Sequence, residues 1–200
     1  MTPQMKKLLV WGIFGFILMM IVFSGCGSYN KMVAMDEAVT SNWQQVENQY
    51  QRRLDLIPNL VNTVQGYADF EKSTITAVTE ARAKVGQVKA DVSDPNSIKQ
   101  FQDAQAGLGS AISRLLVVAE QYPDLKANQN FLELQAQLEG TENRISNERR
   151  MFNESAKELN TYIRTFPKNI WAGLFGIEKR SYFEMDEGAD KAPTVKFDTK

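Results

Sequence analysis

The residues best suited to chemistry in this sequence are one cysteine, Cys26, and two acidic residues near arginines, Asp55 and Glu142. The 200-residue chain contains no histidine, so it lacks the commonest general base, the commonest metal ligand and any Ser-His or Cys-His nucleophile system. A single cysteine cannot form an internal disulfide or a zinc site built from several cysteines. The sequence therefore predicts no catalytic residue, no metal site and no cofactor.

Asp55 and Glu142 would have to carry the reaction if the protein were an enzyme. Two carboxylates on facing helices can act as general acid and base, or can bind a divalent metal ion. Nearby arginines such as Arg52 and Arg149 would instead keep these carboxylates ionised and structural. A carboxylate hydrolase is therefore the least favoured function, and we predict that the protein is not an enzyme.

The overall composition is that of a globular protein. Hydrophobic residues make up 43% of the chain and charged residues 24%, and the length suits one domain with a real core. The net charge is −1, so no strong positive field is available to attract nucleic acid. Nucleic acid is therefore not an expected partner.

Cys26 follows an uncharged segment that runs from Leu8 to Gly25, and Lys6 and Lys7 precede that segment. This arrangement is typical of a signal sequence or a membrane anchor. The small residues just before Cys26 resemble the site at which bacterial lipoproteins are cleaved and acylated, which makes Cys26 the candidate for lipid attachment. The alternative is an uncleaved signal anchor, since the segment is near the lower length limit for a spanning helix.

Both modes of anchoring predict the same orientation. Lys6 and Lys7 are expected to stay on the cytoplasmic side, so the rest of the chain is extracytoplasmic in the bacterial cell envelope, and periplasmic in a cell with two membranes. We predict a signal peptide or anchor over residues 1–25, a helical domain over residues 26–178 and a C-terminal tail over residues 179–200. The choice between inner and outer membrane stays open.

The chain between the signal segment and residue 166 has the apolar period of helices, with apolar residues three or four positions apart. Glycine and proline divide it into four predicted helices, which cover residues 29–66, 69–92, 94–121 and 124–165. Asp94 and Pro95 fit the start of the third helix, as cap and first residue. Pro58 lies inside the first helix and is expected to kink it near the Leu54 carbonyl.

The fourth predicted helix carries an apolar residue at every seventh position: Phe131, Leu138, Ile145, Phe152, Leu159 and Phe166. Such a seam is typical of coiled coils and helical bundles. We therefore predict an all-α fold, an elongated antiparallel (up-down) bundle of about four helices, two of them long, behind the N-terminal hydrophobic segment. The same seam could join two copies of the chain, so a homo-oligomer stays open.

Polar residues flank the seams of the first and fourth predicted helices. They are Arg52, Arg53, Asp55, Glu142 and Arg149. If the two helices pack antiparallel, these residues can form a structural ion network in the middle of the bundle. They can equally lie on the solvated flank of each helix, or line a polar groove that binds a ligand, and the three interpretations stay open.

A short apolar stretch, Ile170–Ile177, follows the last long helix. It either folds back on the end of the bundle, or presents Trp171, Leu174 and Phe175 to a membrane interface or a protein partner. The final segment, from Glu184 onward, is acidic and has few apolar residues, so we expect it to be flexible.

Several segments together resemble the LemA family. They lie at residues 29–33, 51–61, 122–127, 141–145, 166–167, 172–176 and 182–183. The resemblance covers about residues 29–185 and implies an elongated antiparallel helical bundle, tied to the bacterial membrane by one N-terminal transmembrane helix. The lipoprotein-like ending at Cys26 departs from that pattern. The resemblance supplies no catalytic residue, cofactor or substrate.

These features favour a non-enzymatic adaptor or scaffold that is anchored in the membrane and binds another, unidentified envelope protein. The alternative is a membrane-structural or lipid-interacting protein. In both cases the membrane itself is an expected partner.

Overall fold

The computed structural model describes residues 3–67 and 71–184, and these residues form six helices and no strand. The helices are α1 (Pro3–Gln65), α2 (Lys72–Val85), α3 (Pro95–Ala119), α4 (Pro123–Lys126), α5 (Gln129–Arg164) and α6 (Lys168–Phe175). The all-α prediction is confirmed for this part of the chain. Most of the segment that we expected to be flexible, residues 185–200, lies outside the described residues.

α1 is one helix of 63 residues, so the predicted start of the first helix near Tyr29 is wrong. The apolar segment and the predicted helix are continuous because no proline separates them. Pro58 lies inside α1 and has no N–H, which leaves the Leu54 carbonyl without its helical donor. Arg82 of α2 supplies the missing bond, since its Nε donates to that carbonyl at 3.2 Å.

The fourth predicted helix is divided into α4 and α5. Asn128 caps α5 by accepting a hydrogen bond from the Phe131 amide at 3.2 Å, with an extended backbone that interrupts the helix. α2 ends at Val85, earlier than predicted, where Gly86 lowers the helix propensity. The predicted cap Asp94 is confirmed, because its carboxylate accepts from the Asn96 amide at 2.9 Å.

α1 and α5 form the main helix pair, and they run antiparallel. Asn42 of α1 bonds to the Met151 carbonyl of α5, and eleven residues later Arg53 of α1 pairs with Glu142. Residue numbers along α5 therefore decrease as residue numbers along α1 increase, as in an antiparallel pair. α2 and α3 pack on each other, and α6 contacts both α1 and α5.

The interior holds two apolar clusters. The first joins the end of α1 to α2, α3 and the start of α5, and includes Leu60, Val78, Leu108 and Leu138. The second joins the middle of α1 to the start of α3 and the second half of α5, and includes Trp43, Phe101, Ile145 and Phe152. The predicted seam is confirmed from Phe131 to Leu159. Phe166 is 81% exposed, because the helix has already ended before it.

Candidate binding groove and membrane-proximal helix

A polar layer separates the two apolar clusters. On α1, Arg53 lies between Tyr50 of the second cluster and Leu56 of the first. Gln105 occupies the same position on α3, and Thr141 and Glu142 occupy it on α5. Arg53, Gln105 and Thr141 are all buried. The layer is therefore built into the core and is not a chance feature of the helix surfaces.

Arg53 and Glu142 form an ion pair in which the arginine side chain is 6% exposed and the glutamate 61%. The guanidinium also lies 5.6 Å from the centre of the Tyr50 ring. Burial lowers the pKa of Arg53, Tyr50 raises it, and the positive charge of Arg149 lowers it further. Of the residues in the predicted network, Arg53 and Glu142 thus lie together, and Glu142 remains open to solvent.

The other two members of the predicted network lie elsewhere. Arg52 and Asp55 are exposed, and Asp55 accepts a hydrogen bond from the Gln51 amide at 2.7 Å within α1. They occupy the solvated flank of the helix. Asp55 also does not line the same groove as Glu142, so the two carboxylates do not form a joint acid–base pair.

A groove of about 720 Å³ opens over the polar layer, between α1, α3 and α5. Its lining includes Arg53, Glu142 and Arg149, with Gln105 at its buried side. The Gln105 side chain is 3% exposed, and its Oε1 has no hydrogen-bond partner among the described residues. A buried acceptor without a donor costs about 1–3 kcal/mol. The lining charges balance, since Glu139 and Glu142 accompany Arg53 and Arg149, and the groove offers an acceptor that a ligand could satisfy.

An extended segment after α6, residues 180–184, runs along α5 toward this groove. Backbone groups of the segment bond to side-chain amides. Asn160 bonds to both the N–H and the carbonyl of Arg180, and Asn153 does the same for Phe183, all at 2.8–3.0 Å. Phe183 is buried, and its ring stacks on Trp43 with centroids 5.6 Å apart. The segment is thus an integral part of the core.

Sequence reasoning missed this arrangement, although it left a signal. Asn153 and Asn160 are seven residues apart, and each directly follows a residue of the apolar seam. This repeat places two amide side chains on the same side of α5, next to the interior. Arg180 also pairs with Asp36 of α1, with N–O distances of 2.7–2.9 Å. Sequence gives no indication of that pair, because the residues are far apart in the chain.

α6 packs on α1 directly after the apolar segment. The Trp171 ring covers Gly25, so that a β-carbon at Gly25 would lie 3.1 Å from the ring. Phe175 contacts Tyr29 with ring centroids 4.8 Å apart. The predicted contact residues therefore divide: Trp171 is partly covered, while Leu174 is 70% exposed and Phe175 40%.

Cys26 is an exposed, free thiol within α1, next to the position covered by α6. Among residues 3–67 and 71–184, no three His, Cys, Asp or Glu side chains lie close enough together to hold a metal ion. Within the same residues, α1 is the one helix that is long and apolar enough to cross a membrane, although an N-terminal signal sequence has the same features.

The sequence profile of the LemA family matches residues 42–197. The chain belongs to the LemA family. It is 26% identical over 181 residues to the magnetosome protein MamQ 2 of Paramagnetospirillum magneticum, and it is equally similar to MamQ of Magnetospirillum gryphiswaldense. It is also 26% identical over 192 residues to protein LemA of Metamycoplasma hominis.

The matches cover most of this LemA-family chain, but only about two thirds of each MamQ relative. Those with the two MamQ proteins span 81% of the chain and 66% of each relative, and that with LemA spans 92% of the chain and 85% of the relative. The family and these relatives agree with a bacterial, membrane-associated protein. Their names designate no enzyme.

Proposed function

We propose that this LemA-family protein is a non-enzymatic adaptor, anchored in the membrane of the bacterial cell envelope with its helical domain on the extracytoplasmic side. The supporting observation is the seat of α6 on α1, immediately after the apolar segment. Because α1 is continuous, the bilayer exit and the helical domain share one rigid element. An adaptor anchored in this way presents its groove at a fixed distance and direction from the membrane.

The exposed side of α6 matches a membrane interface in composition. Ile170 is 57% exposed and Leu174 70%, and Phe166 lies exposed at the start of the helix. Lys168 lies over the Tyr162 ring at 4.1 Å, which puts a cation near the headgroups in this arrangement. In our proposal α6 lies in the interface beside the spanning part of α1. It prevents the long helical domain from tilting freely.

The seat of α6 also bears on the mode of anchoring. Cleavage before Cys26 would remove Gly25, against which Trp171 packs. In our proposal this contact favours the uncleaved anchor over the lipoprotein. The intact mass of the protein extracted from membranes separates the two modes. An uncleaved chain has the full 22.6 kDa, and a lipoprotein loses residues 1–25 and gains acyl chains.

The position of α6 can be measured by fluorescence quenching in the full chain. A variant that keeps only Trp171, made with Trp11→Phe and Trp43→Phe, is reconstituted in vesicles that contain brominated phospholipids. We expect strong quenching of Trp171. The matched control keeps only Trp43, which is 6% exposed and lies in the second apolar cluster, and should be quenched little. Equal, weak quenching of both would refute the interfacial position of α6.

The adaptor role is tested by crosslinking the full-length protein in cells and identifying what co-purifies by mass spectrometry. Arg53→Met alters the groove, while Leu132→Ser on α5 is a matched surface control. We expect one envelope protein in a fixed ratio to the bait, reduced by Arg53→Met and retained by Leu132→Ser. Recovery of lipid and the chain itself alone would reject the adaptor role.

The second candidate is a membrane-structural or lipid-interacting protein, and the exposed apolar side of α6 is the observation that favours it. It predicts that α6 alone, without a protein partner, changes membrane properties such as vesicle tethering. Vesicle aggregation by the purified full chain, lost in Leu174→Ser, would support this candidate over the adaptor. Glu142 is already paired with Arg53, so a hydrolase that uses it with Asp55 has no support.

A further inference from the structure

The α3 wall of the groove is built from small residues. Ala106, Gly109, Ser110 and Ser113 all line the groove. They recur at intervals of three and four residues, so they share one face of the helix. A β-carbon added at Gly109 would meet nothing within 4 Å. The small side chains on this face thus leave open the space that larger ones would fill.

The charged side chains of the lining all have partners within the protein. Arg53 pairs with Glu142, and Arg149 donates to a backbone carbonyl at 2.9 Å. Glu139 accepts a hydrogen bond from a side-chain amide of α5 at 3.0 Å. Tyr50 also lines the groove, and its hydroxyl is uncharged at neutral pH. Since the positive and negative charges are equal in number, a ligand without net charge suits the groove best.

Gln105 is the polar residue of the lining whose bonding is incomplete. It is buried, and its Oε1 has no hydrogen-bond partner among the described residues. Two other buried side-chain atoms in residues 3–67 and 71–184 share this lack, on Gln49 and Thr74, but neither residue lines the groove. An amide oxygen only accepts hydrogen bonds, so its partner must be an N–H or O–H donor.

Side-chain amides elsewhere in the protein show which donor this surface accepts. Gln102, one helical turn before Gln105 on α3, donates to the Glu184 carbonyl at 3.1 Å and accepts from the Glu184 N–H at 3.2 Å. Asn153 of α5 makes the same two bonds to the backbone of Phe183. These amides bind extended backbone through both of its polar groups. A backbone N–H is therefore the donor that best fits Gln105.

We propose that the groove binds an extended peptide segment of a protein partner, without net charge, with one backbone N–H donating to Gln105 Oε1. The proposal rests on the adaptor role and gives the chemistry of its partner. α3 advances about 21 Å from Gln102 to Leu116, which about six extended residues span. Ile112, Leu116 and Leu138 line the end of the groove far from Gln102, so apolar side chains of the peptide pack there.

Peptide binding to the full-length protein tests the site directly. The probe is a displayed library of random hexapeptides, from which selected sequences are synthesised with blocked, uncharged ends. Gly109→Leu fills the groove, and Gly107→Leu is the matched control on the same helix, because it is exposed and lies outside the lining. Both replace a glycine inside a helix, so neither should destabilise α3.

Fluorescence anisotropy measures the affinity of the selected peptides. We expect binding to weaken by about tenfold or more in Gly109→Leu and to stay unchanged in Gly107→Leu. Failure to select any peptide, or equal affinity for the wild type and Gly109→Leu, would overturn the proposal.

Methylation of the peptide identifies the bond to Gln105. Each backbone nitrogen of a selected peptide is methylated in turn, which removes one N–H at a time. We expect one position to lose about tenfold in affinity for the wild type. In Gln105→Met, which keeps a long side chain without the amide, methylation at that position should cost little. An equal loss in both proteins would show that the N–H does not bond to Gln105.

Crosslinking in cells separates this proposal from the adaptor role itself. Loss of the partner in Gly109→Leu, with retention in Gly107→Leu, would support docking in the groove. Capture of the same partner by both variants would overturn the groove proposal and leave the adaptor role intact. Capture of further copies of this chain alone would reject the adaptor role and make a second copy the occupant.

Discussion

Arg180 forms a two-point ion pair with Asp36, which lies 144 residues earlier in the chain. Its Nε donates to one carboxylate oxygen at 2.8 Å and an Nη donates to the other at 2.9 Å. The side chains are 20% and 27% exposed, so solvent screens the pair only in part. The pair fastens the segment after α6 to the part of α1 that lies just beyond the proposed membrane exit.

Replacing Arg180 by alanine should therefore destabilise the protein. Hydrogen bonds to charged groups contribute about 1.5–3 kcal/mol each, and loss of this partly screened pair should cost about 2 kcal/mol. For a chain of this size that lowers the melting temperature by roughly 4–8 °C. Circular dichroism of the detergent-solubilised full chain measures the shift. Arg180→Lys should recover only part of the loss, because an ammonium cannot make the two-point contact.

Lys179→Ala provides the matched control for the arginine. Lys179 is exposed and adjacent, and it carries the same charge. We expect its substitution to change the melting temperature by no more than about 1 °C, which corresponds to a few tenths of a kcal/mol. Similar shifts for both variants would mean that net charge, and not the pair with Asp36, stabilises the segment.

Glu142→Gln tests whether the polar layer is structural. Glutamine leaves the buried guanidinium of Arg53 without its negative partner, so we expect a loss of stability of about 1 kcal/mol, limited by the exposure of Glu142. In an Arg53→Met background the same substitution should be nearly neutral. Thermal unfolding of the four proteins gives the coupling. A coupling free energy near zero would mean that Glu142 belongs to the solvated flank of α5 and does not stabilise Arg53.

Gly25→Leu should loosen α6, because the new side chain would collide with the Trp171 ring. Gly27→Leu is the matched control, since a β-carbon there meets nothing within 4 Å. Both substitutions add the same apolar volume to α1. Hydrogen exchange of the α6 amides should accelerate at least tenfold in the first variant only. Unchanged exchange in Gly25→Leu would mean that α6 does not rest on this glycine.

Sequence predicted the parts of the fold that follow from periodicity and capping. The seam from Phe131 to Leu159 and the cap at Asp94 needed only local spacing and local chemistry. The predicted start of the first helix near Tyr29 is wrong, because the prediction treats the apolar segment as a separate unit. No residue between that segment and Tyr29 interrupts the helix.

The candidate site could be predicted only in part, for a related reason. The sequence identifies Arg53 and Glu142 as polar residues beside the apolar seams. It does not predict that α3 forms part of the groove, so Gln105 was missed. Its role depends on where one side chain lies between two clusters from three helices. A local signal was nevertheless present, because Gln105 fills the three-to-four-residue spacing of the buried stripe between Phe101 and Leu108.

The contact between Arg82 and Leu54 can be tested together with Pro58. In the wild type, Arg82→Ala removes the donor to the Leu54 carbonyl and should cost about 1 kcal/mol. Pro58→Ala restores an N–H that can bond to the same carbonyl within α1. It should stabilise the helix, because proline in a helix interior costs about 3 kcal/mol. In the Pro58→Ala background, Arg82→Ala should have little effect. Unfolding of the four proteins measures this coupling, and an undiminished effect of Arg82→Ala would show that arginine acts through some other contact.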